Sequence, residues 1–139
     1  MTAQQRIVRM PPQLPAGTRV LIVEDHPFIA MAVADMIVTL GCEVAAIAST
    51  VDEALEAVGR GDFTVVLLDM DLDGQSSSAV ASALVAAGKP FLVATGFGRR
   101  DGFDTEPLLM KPYLPGQLGR GLADLLGAVD ETHRRRDRA

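Results

Sequence analysis

Acidic residues occupy three alternate positions in the stretch VVLLDMDLDG, which covers residues 65–74. Asp69, Asp71 and Asp73 come at the end of an apolar run that has the length and composition of a buried strand. An acidic pair, Glu24-Asp25, ends the apolar stretch RVLIVED in a similar way. Carboxylates that gather in one place repel each other unless a cation lies among them, and a set of oxygen ligands suits Mg²⁺. The two stretches therefore indicate a magnesium site, if the fold brings them together.

A hydroxyl group and an ammonium group follow two further apolar runs. Thr95 comes directly after FLVA, and Lys111 comes directly after LLM and before Pro112. A carboxylate nucleophile, Mg²⁺, a hydroxyl and an ammonium together suit one task, which is to accept a phosphoryl group and hold its charge. Taken singly, each of these residues is more often part of an ordinary turn. The prediction therefore depends on all of them lying at the ends of strands.

Short apolar strands alternate with helical patterns five times along the chain. The predicted strands are Arg19–Glu24, Glu43–Ala48, Val65–Asp69, Phe91–Ala94 and Leu108–Met110. Strands this apolar predict an α/β fold with a parallel sheet covered by helices on both faces. The common order for such a doubly wound, flavodoxin-like sheet is 2-1-3-4-5, and ligands bind at the switch point between strands one and three. That order would place the acids of both stretches in one crevice.

Composition limits the remaining possibilities. A chain of 139 residues with 48% hydrophobic and 22% charged residues has the size and composition of one globular domain. The net charge of −5 argues against general nucleic-acid binding. No apolar run reaches the roughly 18 residues that a membrane span requires, so we expect a cytoplasmic protein without membrane contact. The single cysteine, Cys42, is expected to be a small buried residue.

At these motifs the chain resembles the receiver domains of two-component response regulators, over residues 19–129. The resemblance rests on VEDHP, LLDMDLDG, ATG and MKPY. It implies that Asp69 accepts a phosphoryl group from a histidine kinase or a phosphotransfer protein in a reaction that requires Mg²⁺. It also implies the roles of the other residues: Glu24 and Asp25 as metal ligands with Asp69, Asp71 as a ligand through its main-chain carbonyl, and Thr95 and Lys111 as contacts of the phosphoryl group.

The composition of the two ends, together with the extent of the resemblance, predicts how the chain is divided. We expect an N-terminal arm over residues 1–17, a receiver domain over 18–130 and a charged tail over 131–139. Because only the tail follows the receiver domain, output is expected through a downstream protein partner, or as a phosphate sink or shuttle between kinases. Such a protein is a phosphoacceptor and not an enzyme that turns over a substrate.

Two departures from the usual receiver pattern concern the later part of the domain. The family often has an aromatic residue three positions before the lysine, and this chain has Leu108. Only 15 residues, Gly96 to Met110, separate Thr95 from Lys111, which is too few for strand five and an average helix with its loops. We therefore expect helix four to be shortened or disordered. The stretch ATGF partly resembles the Phe-Ala-Thr-Gly signature of stand-alone alphaproteobacterial receivers.

Two other functions fit part of the pattern. DLDG, residues 71–74, resembles the nucleophile motif of haloacid-dehalogenase-type phosphatases, but Gln75 replaces the threonine of that motif, and the motif follows the third strand instead of the first. A receiver that has become a phosphate-independent adaptor is the other alternative. Such adaptors usually lose the acceptor, the lysine or the acidic pair, and this sequence has all of them.

Overall fold

The computed structural model describes residues 14–96 and 107–138, with side chains up to residue 127. Five parallel strands form one sheet, and a small antiparallel hairpin follows the third of them. The strands of the sheet are β1 (Arg19–Val23), β2 (Glu43–Ala48), β3 (Val65–Asp69), β6 (Phe91–Thr95) and β7 (Leu108–Met110), and those of the hairpin are β4 (Asp71–Leu72) and β5 (Gln75–Ser76). The order β2-β1-β3-β6-β7 confirms the predicted 2-1-3-4-5 arrangement.

Helices cover both faces of the sheet, as the apolar strands predicted. They are α1 (Pro27–Thr39), α2 (Val51–Arg60), α3 (Ser78–Ala86) and α4 (Pro115–Arg138). Successive side chains of β1 point to opposite faces: Val20 and Ile22 pack in a cluster with residues of α1 and α4, while Leu21 and Val23 pack with residues of α2 and α3. One apolar core therefore lies on each face of the sheet, and packing on both faces fixes the position of the carboxyl ends of the strands.

The boundaries of α2 follow signals that are visible in the sequence. The side chain of Thr50 accepts a hydrogen bond from the Glu53 backbone N–H at 3.1 Å, which satisfies a donor that the first helical turn leaves open. Gly61 ends the helix in the left-handed conformation, with φ of +68°. Helix α1 has Pro27 in its first turn and no side-chain cap. Helix α4 continues to Arg138, into the residues predicted as a tail.

Some predictions fall outside the described residues. The expected shortening or disorder of helix four concerns residues 97–106, which lie outside them. Leu108, at the position of the missing aromatic residue, is half-buried in β7. Within residues 14–96 and 107–138, no helix has both the length and the apolar composition needed to cross a membrane.

Candidate metal and phosphoacceptor site

Carboxylates from two strand ends meet at the carboxyl edge of the sheet. β1 runs parallel to β3, with Val23 beside Leu68, so that the residues that follow β1 lie next to the end of β3. As a result, Glu24, Asp25 and Asp69 each place a carboxylate oxygen within 4.8 Å of the other two. Glu24 and Asp69 are almost fully buried, and Asp25 is partly exposed. We refer to these three residues together with Lys111 as the acidic crevice.

Lys111 supplies the positive charge of the acidic crevice. Its Nζ lies 2.8 Å from Asp69 Oδ2 and 3.5 Å from Glu24 Oε2. The lysine follows β7 directly, and its backbone N–H donates to the Thr95 carbonyl at 2.8 Å. The peptide bond to Pro112 is cis, as it often is in the family that the sequence resembles. The edge strand β7 therefore places the lysine beside Asp69, across the intervening strand β6.

Thr95 and Asp71 lie at the same end of the sheet as Asp69. Thr95 is the last residue of β6 and is 2% exposed. The pairing of β6 with β3 sets Ala94 opposite Asp69, so Thr95 comes one residue beyond this pair at the end of β6. The Asp71 backbone N–H donates to Asp69 Oδ1 at 3.3 Å. The structure thus brings all the predicted site residues to one edge of the sheet.

The electrostatics of the acidic crevice follow from burial and crowding. Burial raises the pKa of Glu24 well above its ordinary value, and the hydrogen bond and negative charge of Asp69 raise it further. Burial opposes the charge on Lys111, but the hydrogen bond to Asp69 and the charges of Asp69 and Glu24 outweigh it, so its pKa is raised. In the metal-free crevice Glu24 therefore retains its proton to a higher pH than an ordinary carboxyl group, because burial and crowding disfavour a further negative charge beside Asp69. A divalent cation that displaced this proton would relieve the crowding, and three convergent carboxyl groups are the donor set that a hard divalent ion takes.

Two supporting residues had no predicted role in the site. Ser77 is fully buried, and its Oγ lies 2.6 Å from the Asp69 carbonyl and 3.0 Å from the Met70 carbonyl. The Asp73 backbone N–H donates to Asp25 Oδ2 at 2.8 Å. Asp-Gly is a dipeptide that favours a turn, whereas a serine in the run QSSS gives no signal that distinguishes it from its neighbours.

An apolar groove borders the acidic crevice. A cavity of about 510 Å³ lies between α1 and the segment that follows β7. Its lining includes Phe28, Ile29, Ala32, Met36, Pro112 and Tyr113. Lys111 lines it too, so the groove and the crevice share a wall. The burial of Tyr113 and the charges of Glu24 and Asp69 raise the pKa of its phenol to about 12, which places the ring within the field of the acids.

The sequence matches the response regulator receiver domain family over residues 20–101. This chain belongs to that family. A search of curated proteins gave no match. The receiver fold and the acidic cluster therefore agree with the family that the motifs indicated.

Several solved structures of receivers resemble the chain. SdrG from Sphingomonas melonis Fr1 is 37% identical, with 81% of this chain and 99% of that one covered and a TM-score of 0.72. The receiver domain of PhyR from Erythrobacter litoralis is 32% identical over 80% of this chain and 91% of that one, with a TM-score of 0.71. The anti-anti-sigma factor PhyR from Bartonella quintana is 28% identical, with a TM-score of 0.78. That match covers 88% of this chain but only 52% of PhyR, so the chain spans about half the length of that relative.

Proposed function

We propose that this receiver accepts a phosphoryl group on Asp69 from a histidine kinase or a phosphotransfer protein, in a reaction that requires Mg²⁺. The observation that carries the proposal is the position of the Asp69 carboxylate. It lies 2.8 Å from the Lys111 ammonium and within 4.8 Å of the carboxylate oxygens of Glu24 and Asp25. A nucleophile with this surrounding charge can attack phosphorus and then retain the product.

The transfer exchanges one bond to phosphorus for another. An Asp69 carboxylate oxygen forms a bond to the phosphorus while the bond from phosphorus to the donor imidazole nitrogen breaks, and the imidazole leaves with the electron pair and takes a proton from solvent. Lys111 then balances charge on the new acyl phosphate, and the Thr95 hydroxyl donates to one of its oxygens. Glu24, Asp25, Asp69 and the Asp71 carbonyl would hold Mg²⁺. When bound, this ion offsets the repulsion between the carboxylate and the anionic donor.

The apolar groove is the surface that we assign to the phosphodonor. A phosphohistidine on a protein can reach Asp69 only if that protein covers the surface around the acidic crevice. Phe28 and Met31 are 77% and 63% exposed on α1 beside it. Exposed apolar side chains next to a reactive group are typical of a surface that a partner covers. A donor that presents its histidine on an apolar helix face would bury Phe28 while it places the imidazole at Asp69.

The output of the receiver is proposed to act through a protein partner. PhyR from Bartonella quintana is described as an anti-anti-sigma factor, and its resemblance to this chain supports a role in signalling by contact between proteins. A receiver that only passes phosphoryl groups between kinases would use the same acidic crevice. Both uses begin with the same event at Asp69.

Intact-protein mass spectrometry tests the proposal. With Mg²⁺ and a small phosphodonor such as acetyl phosphate, the wild-type protein should gain the mass of one phosphoryl group. The Asp69→Asn variant should gain none, and the exposed Asp62→Asn variant is the matched control that should label like wild type. Labelling of wild type that is equal with and without Mg²⁺ would contradict the metal-dependent mechanism.

A further inference from the structure

The β4–β5 hairpin directs two backbone N–H groups at the acidic crevice. The Asp71 N–H donates to Asp69 Oδ1 at 3.3 Å, and the Asp73 N–H donates to Asp25 Oδ2 at 2.8 Å. In an extended chain, N–H groups two residues apart point towards the same edge. One edge of this short segment therefore donates hydrogen bonds to two carboxylates of the crevice, one at the end of β3 and one just after β1.

The tip of the hairpin has a fixed geometry. Leu72 pairs with Gln75, so Asp73 and Gly74 form a two-residue turn. Their φ angles are +51° and +80°. A turn with positive φ at both central residues is of type I′, and Asp-Gly is among the sequences that favour it. The direction of the Asp73 N–H is therefore set by the turn and does not depend on the Asp73 side chain, which is exposed.

The base of the hairpin is attached to the strand that carries the acceptor. Leu72 is 2% exposed and packs in the core with Met70. On the other side, the Ser77 backbone N–H donates to the Met70 carbonyl at 3.0 Å, and its Oγ contacts the Asp69 carbonyl at 2.6 Å. Because both ends are held, the tip cannot shift without disturbing contacts next to Asp69.

We propose that Asp73 is a positioning residue for the metal site. Its main-chain N–H, held by the type I′ turn, fixes Oδ2 of Asp25 and leaves the other oxygen of that carboxylate for the cation. The inference rests on the proposed function, because it takes Asp25 to be a ligand of Mg²⁺. The positioning group is the backbone N–H of residue 73. A substitution that changes only the side chain would therefore not reveal it.

The first test uses the metal-free protein and nuclear magnetic resonance. The Asp73 amide proton should resonate downfield and exchange with solvent more slowly than the Gly74 amide proton, because it donates to a carboxylate. Asp25→Ala removes the acceptor, and the Asp73 amide should then move upfield and lose its protection. An Asp73 amide that exchanges as fast as that of Gly74, and that does not respond to Asp25→Ala, would overturn the inference.

The second test measures Mg²⁺ affinity by titration calorimetry on folded variants. Asp73→Pro removes the N–H and fixes φ near −65°, and it should weaken Mg²⁺ binding by about 10- to 100-fold, the usual effect of losing a partner that orients a metal ligand. Asp73→Gly retains both the N–H and the positive φ and should restore affinity close to that of wild type. Gln75→Ala is the matched control on the exposed side of the same hairpin.

A variant with an intact N–H covers the case in which Asp73→Pro fails to fold. Gly74→Val retains every hydrogen-bond donor but strains the left-handed conformation, so it should also weaken Mg²⁺ binding. If folded Asp73→Pro or Gly74→Val bound Mg²⁺ with wild-type affinity, the positioning role of the hairpin would be wrong, and the proposed function would be unaffected. Wild-type protein that binds no Mg²⁺ would overturn the proposed function itself.

Discussion

The acidic crevice and the apolar groove both include Lys111, yet the other side chains that line them differ in polarity. The crevice gathers three carboxylates that are held by backbone N–H groups and one ammonium. The groove gathers aliphatic and aromatic side chains of α1 with Pro112 and Tyr113. Charge at close range would determine what the crevice binds, whereas apolar area would determine what the groove binds. Under the proposed function, phosphoryl transfer would take place in the crevice, and the phosphodonor would be recognised by the separate surface of the groove.

Helices α1 and α2 show the same contrast at the level of secondary structure. α2 exposes the charged residues Asp52, Glu53, Glu56 and Arg60 and buries one apolar stripe. α1 has apolar residues on all sides, and Phe28, Met31 and Val38 are exposed. A helix that is hydrophobic all round is normally buried. The outer face of α1 is therefore unusually apolar for an exposed helix face, which is consistent with the partner surface proposed for it.

The largest expected effect is on the crevice. Asp25→Asn should weaken Mg²⁺ binding by more than about 100-fold, since one unit charge at about 4 Å near a protein surface is worth about 4 kcal/mol. Thr95→Ala should leave Mg²⁺ affinity nearly unchanged, because its hydroxyl is assigned to the phosphoryl group and not to the metal. Titration calorimetry on both variants and on the exposed control Asp35→Asn measures the difference. Equal losses in Asp25→Asn and Thr95→Ala would contradict this division of roles.

A smaller effect is expected from a substitution in the groove. It should change the rate of transfer from a protein donor and leave labelling by a small-molecule donor unchanged. Phe28→Asp places a charge on the face assigned to the phosphodonor, and it should slow transfer from a cognate histidine kinase by about 10-fold or more, as loss of one buried anchor residue does at an interface. Labelling by acetyl phosphate should not change, since the crevice is intact.

Val85→Asp is the matched control for the groove, because Val85 is also exposed but lies on α3. Its rate of transfer from the kinase should equal that of wild type. If Phe28→Asp and Val85→Asp had the same effect on transfer, the donor would not recognise the groove.

The sequence predicted the crevice better than the groove, for a physical reason. An acid that follows a buried apolar run, as Asp69 does, marks the end of a strand, and the parallel topology then determines which ends meet. The hairpin was not predicted because two-residue strands in the polar stretch DLDGQS have no periodicity to detect. The groove was not predicted because apolar spacing on α1 indicates a buried face without showing how much of the helix stays uncovered.

The smallest expected effect is on the ionisation of Tyr113, which lines the groove close to the acids of the crevice. Tyr113 is the only tyrosine of the chain, so the ultraviolet absorbance of phenolate reports its ionisation alone. In the folded, metal-free protein the midpoint should lie at about pH 12, against the ordinary pKa of 10.0 in urea-unfolded protein, because burial and the neighbouring acids disfavour the phenolate. The folded-state pKa is raised, so the stability that Tyr113 contributes is present below pH 10 and is lost as the pH rises towards 12. A folded-state midpoint near 10 would show that the ring lies outside the field of the crevice.

The central claim is that Asp69, and neither Asp71 nor Asp73, carries the phosphoryl group. Borohydride reduces an acyl phosphate of aspartate to homoserine, and peptide mass spectrometry then reports the position of the changed residue. After phosphorylation with Mg²⁺ and acetyl phosphate, the account predicts homoserine at position 69 alone. Homoserine at position 71 would contradict it and would favour the phosphatase-like reading of DLDG, in which Asp71 attacks phosphorus.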